Sequence, residues 1–222
     1  MMKHSDIITK FKIEYDKAEY ASSYPSLTEY EIATILDKAY LALIAQKITG
    51  NNPRQAVFEI DTKAVEDIRP LIIRKRVDGD QQHATCANDC VYELPEDFLY
   101  YIQSFIELGK SINNVRLVSH EDAAKFMNTT INIPWIDIPV CFIENDYIHV
   151  LVDSVKYKKA PKQLNVVYVK KPVKFVGDTT NADFELNDTM AEELINLAII
   201  MSLEVVESPR LTTKTQTRPL ES

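Results

Sequence analysis

The sequence predicts an α+β protein: N-terminal helices and a long C-terminal helix packed as a helical bundle, a central β-rich subdomain, and an extended C-terminal tail. Three observations predict it. Apolar residues recur at helical spacing near both ends of the chain, in residues 5–49 and 187–207. The middle of the chain breaks into short β-branched and aromatic runs bounded by Pro and Asn. After Pro209 there is little apolar content and no period. The expected parts are a helical region over 1–70, a β-rich subdomain with short helices over 71–183, a C-terminal helix over 184–208 that packs with the N-terminal helices, and a tail over 209–222.

The first helix is expected over residues 5–20, where Ile7, Ile8, Phe11, Tyr15 and Ala18 alternate with Lys10, Lys12, Asp16 and Lys17. Pro25 breaks the pattern, and Ser26 three residues before Glu29 makes a capping box for a second helix. That helix ends at Gly50-Asn51-Asn52-Pro53, where glycine can take the left-handed stop and proline prevents continuation. Its apolar residues Ile32, Ile35, Leu36, Ala39, Tyr40, Ala42, Leu43 and Ile44 span roughly 200° of the helical wheel, about twice the stripe of a one-sided surface helix. Two different surfaces are therefore expected to pack on it.

Residues 54–69 read as shorter helical pieces with a break near Asp61, ending at Pro70. Leu71-Ile72-Ile73 then leads through Arg74-Lys75-Arg76-Val77 as a strand into the turn Asp78-Gly79-Asp80. Further strands are expected over 100–108, 140–143, 147–152 and 164–169. A short helix, capped by Ser119, is expected over 123–127. The C-terminal helix starts at Asn187 or Asp188 and carries apolar residues around nearly its whole wheel, so it must be buried on most sides.

The net charge of -8 is the opposite of what a phosphate-gripping surface favours, so sequence-reading of nucleic acid is not expected. No stretch reaches the roughly 18 apolar residues of a membrane span, and residues 1–6 are polar with no apolar leader behind them. A soluble protein is expected. Three cysteines, Cys86, Cys90 and Cys141, leave one over from any pairing, which points to a reducing compartment.

Candidate chemistry is sparse. His83, Cys86 and Cys90 share a polar loop with Asp89 as the nearest fourth ligand, but the paired ligands of a zinc site, such as CxxC, are missing. Asp78-Gly79-Asp80 lacks the remaining positions of a calcium loop. Gly50, Gly79, Gly109 and Gly177 are too scattered to cradle a phosphate, and no Gly-x-Ser-x-Gly elbow exists. The acidic pairs Glu96-Asp97, Glu121-Asp122 and Glu192-Glu193 are expected at helix starts, where negative charge meets the helix dipole. Arg74-Lys75-Arg76 is expected to be a solvated strand edge. Neither a catalytic centre nor a cofactor is expected.

The order of segments carries more information than any one of them. Tyr24-Pro25-Ser26-Leu27-Thr28, Asp67-Ile68-Arg69-Pro70-Leu71 and Tyr92-Glu93-Leu94-Pro95-Glu96-Asp97-Phe98 are followed by Val167-Tyr168-Val169-Lys170-Lys171-Pro172, then Phe184-Glu185-Leu186 and Glu207-Ser208-Pro209-Arg210. This succession, over residues 22–210, resembles the head-to-tail connector (adaptor) ring proteins of podovirus-type bacteriophages. Those are the tail-tubular-protein-A-like adaptors, and the ring proteins of crAss-like phages are the most similar. The resemblance implies a structural, non-enzymatic virion protein of the neck or tail, assembled in the host bacterial cytoplasm. It also implies a twelvefold homo-oligomeric ring that binds the portal and the next ring or tail protein, and through which double-stranded DNA passes unread during genome ejection. Heterologous ring contacts need two unlike faces, and Ile32, Ile35, Leu36, Tyr40, Leu43 and Ile44 are the expected oligomer interface. In such adaptors a C-terminal extension docks on the portal, which would make Arg210, Lys214 and Arg218 charged anchors. Another virion component (tail-completion or capsid-associated) and a small metal-binding phage enzyme built on His83, Cys86 and Cys90 stand as alternatives.

Overall fold

A first helix, α1 (His4–Ala18), begins where Lys3 bridges Asp183, with the His4 amide bonded to the Ala182 carbonyl and the Phe184 amide to that of Met2. The computed structural model describes residues 2–18, 27–49, 62–79, 83–84, 86, 88–108, 111–127, 134, 138–153, 162–176 and 182–205. The chain divides into a helical unit, Met1–Leu71 with Pro172–Ser222, and a β unit, Ile72–Lys171. Residues 172–176 and 182–183, expected within the β-rich subdomain, group with the helical unit. The architecture is α+β.

In the helical unit, α1 buries Ile7, Phe11 and Tyr15, one residue per turn. The second helix, α2 (Glu29–Thr49), is capped two residues later than expected. The Glu31 amide donates to Thr28 Oγ1 at 3.3 Å while Glu31 Oε2 accepts the Thr28 amide at 2.7 Å, a reciprocal capping box. Glu29, expected to close the box with Ser26, instead pairs with Lys12 at 2.8 Å; Ser26 lies outside the described residues, as does the glycine-proline stop. Of residues 54–69, a short helix α3 (Thr62–Ile68) is described, leading into a 3-10 turn (Arg69–Leu71). Before the C-terminal helix among the described residues, Asn187 Oδ1 accepts the Met190 amide at 2.8 Å and caps it.

Among the described residues of the β unit there are seven strands and one helix: β1 (Ile72–Asp78), β2 (Asp89–Glu93), β3 (Phe98–Leu108), β4 (Ser111–Leu117), α4 (His120–Met127), β5 (Val140–Glu144), β6 (Tyr147–Leu151) and β7 (Gln163–Lys170). The C-terminal helix, α5 (Asp188–Val205), belongs to the helical unit and packs on both α1 and α2. Its buried residues, from Met190 to Leu203, span roughly 240° of the helical wheel, so the helix is buried on most sides, as its composition requires.

The strand order is β1-β7-β3-β4-β5-β6-β2. Neighbours are antiparallel except β4 and β5, the pair that α4 connects. An isolated bridge from Gly79, just past β1, to Tyr92 on β2 brings the two end strands together, so the sheet curls round on itself. Strands β3, β5, β6 and β7 lie where expected to within two residues. Strands β2 and β4 were not expected.

The curled sheet encloses one apolar interior to which every strand contributes, among them Val77, Tyr92, Ile106, Val115, Cys141, Val150 and Val166. A second cluster, Ala123, Val140, Phe142 and Leu151, lies under α4. At the β5–β6 turn Asn145 takes a left-handed φ of 53°, which asparagine tolerates better than most residues.

Candidate functional site

The six α2 residues expected at an oligomer interface are all buried inside the chain: Ile32, Ile35, Leu36, Tyr40, Leu43 and Ile44 are core. This corrects the expectation. The wide apolar arc is covered by α5, α3 and an aromatic group in which Tyr40 meets Phe184 at 5.1 Å and Phe175 at 6.3 Å. The surface apolar residues of α2 are Tyr30, 70% exposed, and Leu41, 45% exposed. Arg210, Lys214 and Arg218, the expected portal anchors, lie outside the described residues.

Two segments of the ordered motif succession meet directly. The turn Leu94-Pro95-Glu96-Asp97 joins β2 to β3, and Tyr168 on β7 donates its hydroxyl hydrogen to Asp97 Oδ1 at 2.8 Å. Lys171 fixes the same turn twice, its amide to the Asp97 carbonyl at 2.7 Å and its ammonium to the Glu96 carbonyl at 3.0 Å. Phe98 packs on the Tyr168 ring with centroids 5.5 Å apart. Burial pushes the Tyr168 phenol pKa up, and the bond to Asp97 adds to the rise. Glu96-Asp97 is thus a strand-connecting turn and not a helix start.

Other motif residues also hold joints. Asp67 and Glu193 each hold the Lys47 ammonium at 3.0 Å, joining α3, α5 and α2 in a largely buried cluster. Burial alone would lower the lysine's pKa, but the hydrogen bonds and charges of the two carboxylates exceed it and raise the value. Glu193 is therefore an ion-pair partner within α5, as is Glu192, which pairs with Lys10. Glu121 and Asp122 do stand in the first turn of α4, where the Asp122 amide bonds Ser119 Oγ at 3.2 Å. Glu185 Oε2 accepts the Val173 amide at 2.9 Å, and Asp37 accepts those of Phe175 at 2.6 Å and Val176 at 3.4 Å. Residues 173–176, where the chain re-enters the helical unit, are thereby tied to α2 and to the approach to α5.

His4 lies beside this strap, 1% exposed and stacked on Phe175 at 4.1 Å, with no hydrogen-bond partner on either ring nitrogen among the described residues. Burial lowers its pKa from the ordinary 6.5, against the opposing pull of Asp37, Glu185 and Asp183. The sign follows. The unfolded chain takes up the proton more readily, so stability is complete above pH 6.5 and falls as the pH drops below it. His4→Phe keeps the stacking and should remove this component. The loss of urea midpoint between pH 7.5 and 5.5 should be smaller in the variant than in the wild type, and equal losses would exclude the assignment.

The loop candidates are held by other partners. His83 Nε2 and the Tyr147 hydroxyl are 3.2 Å apart with their rings stacked, and Asp89 bonds His149 Nδ1 at 2.9 Å in the protein interior. Cys90 is buried in the interior of the sheet, where desolvation pushes its thiol up to about 12; the same effect takes Cys141 to about 11. Cys86 packs at the edge of the cluster under α4. Among the described residues no group of three or more His, Cys, Asp and Glu is placed to hold a metal ion, and no helix is long and apolar enough to cross a membrane.

Asp78 accepts a bond from Gln163 at 3.0 Å, and Gly79 serves the bridge to Tyr92. An open cleft of about 420 Å³ in the helical unit is lined by Met2, Lys10, Asp188, Thr189 and Glu192, with Lys10 and Glu192 paired across it. Sequence reasoning missed His4, Lys47 and His149. The last had a visible signal, a histidine in the otherwise apolar run Ile148-His149-Val150-Leu151. No protein-family model and no curated protein matches this chain.

Proposed function

We propose that the chain is a structural subunit of a tailed-bacteriophage virion: a head-to-tail connector ring protein of the neck that binds the portal and forms part of the DNA channel. The ordered motif succession carries the reading. Its support in the fold is that these residues hold joints between elements, Asp97 and Lys171 across β2–β3 and β7, Asp67 across α3 and α2, and Glu185 at the strap. Residues at such joints set the shape of the subunit, which is what a ring repeats from copy to copy. The net charge of -8 suits a channel to which DNA must not adhere.

The test is imaging of the purified chain alone and with the portal protein of its phage. Closed rings with a central opening, stacked on the portal, are the expected result. Deleting residues 211–222 should abolish portal binding and leave the rings. A chain that stays monomeric at all concentrations and does not bind the portal would refute the proposal.

A further inference from the structure

The outer surface of the curled sheet carries two unlike patches. Because Val77, Leu164, Val166, Ile106 and Val115 point into the core, the alternate residues of β1, β7, β3 and β4 point outward. Paired across these strands lies one row, Arg76–Asn165–Phe105–Asn114, with Arg74–Val167–Gln103 beside it. Arg116 sits two residues beyond Asn114 on the same face of β4. Arg74 stacks over the Phe105 ring at 5.3 Å, and Ile112 is 67% exposed. Two acids share the surface: Glu107, 3.9 Å from Arg76, and Asp78, bonded by Gln163. Arg116 also acts on the charge of Asp122.

Every strand cation that this register places outward is arginine, around an aromatic ring and amides. That is the composition of protein interface centres, where arginine and aromatics are enriched and lysine is depleted. On the other strands, where the cover of α4 ends, Glu93 on β2 and Glu144 on β5 flank Tyr147 on β6 in a single row, with Asp146 in the adjoining turn. Glu93, Glu144 and Asp146 are exposed. The two glutamates stand about 10 Å apart, two strand spacings, within reach of two arginine side chains.

We propose that the arginine and phenylalanine face of one copy receives the Glu93–Tyr147–Glu144 end of the next. The occupant is a second copy of this chain because the complementary charges belong to the same unit on different strands. A contact between two unlike patches propagates head to tail and closes into a ring when the rotation allows. This inference rests on the ring reading and specifies its subunit contact.

Two double variants of the full-length chain test it by sedimentation and native mass spectrometry: Arg74→Glu with Arg116→Glu, and Glu93→Arg with Glu144→Arg. Each alone should associate at least about 100-fold more weakly than the wild type, because like charges then face each other. An equimolar mixture should assemble again, with strictly alternating variants and hence an even copy number; recovery also shows that both variants fold. Wild-type-like rings from either variant alone, or a mixture that stays monomeric, would overturn the contact while leaving the ring reading intact. A wild type that never assembles removes both.

Discussion

Replacing Lys47 by methionine is expected to destabilise the helical unit by about 3–5 kcal/mol, the usual cost of removing one partner from a buried ion cluster. The side chains of Lys47, Asp67 and Glu193 are 16%, 10% and 17% exposed, so water replaces little of the lost cation. Methionine restores the volume, and the cost comes from two carboxylates left facing each other. Adding Glu193→Gln to Lys47→Met should recover part of the loss, giving a coupling that simple loss of packing would not produce. Urea unfolding of the three proteins measures it. A cost near 1 kcal/mol, the level of an exposed pair, would mean that the cluster is solvated.

The second large effect is expected in the β unit. The Asp89 side chain is fully buried and that of His149 is 5% exposed, with His149 also stacked on Phe142 at 4.7 Å. Asp89→Ala leaves a buried imidazole nitrogen without its acceptor and should cost about 3 kcal/mol. Asp89→Asn keeps an acceptor at the same place and should cost roughly 1 kcal/mol. Circular dichroism during urea unfolding separates them. Equal losses in the two variants would show that the bond to His149 adds nothing to the packing and backbone ladder that join β2 to β6.

The helices were legible because their signals are local. Asn187 and Ser119 are caps adjacent to the helices they start, and the apolar periods of α2 and α5 lie within single stretches of chain. Strand β2 gave no alternation to read because it is buried on both faces, with Cys90 and Tyr92 in the interior of the sheet while Asp89 turns to His149. Strand β4 hid for a different reason: Asn113 is buried at a position where alternation calls for an apolar side chain. The arc on α2 was measured correctly, but its breadth does not say whether the second partner is another molecule or the chain's own α5. The Tyr168–Asp97 bond spans 71 residues, and no local pattern marks its two ends as neighbours.

The division of the chain has a consequence for its synthesis. The β unit is one uninterrupted stretch, Ile72–Lys171, whereas the helical unit needs α5 from beyond it. As the chain leaves the ribosome, the β unit has all its strands while α1 and α2 still lack the helix that covers them. At about 5–20 residues per second, translating the intervening stretch takes on the order of 5–20 s. Throughout that interval α1 and α2, with buried residues such as Phe11, Leu36 and Leu43, have no α5 to pack on, so the nascent chain is most exposed to chaperone capture and aggregation before α5 is made.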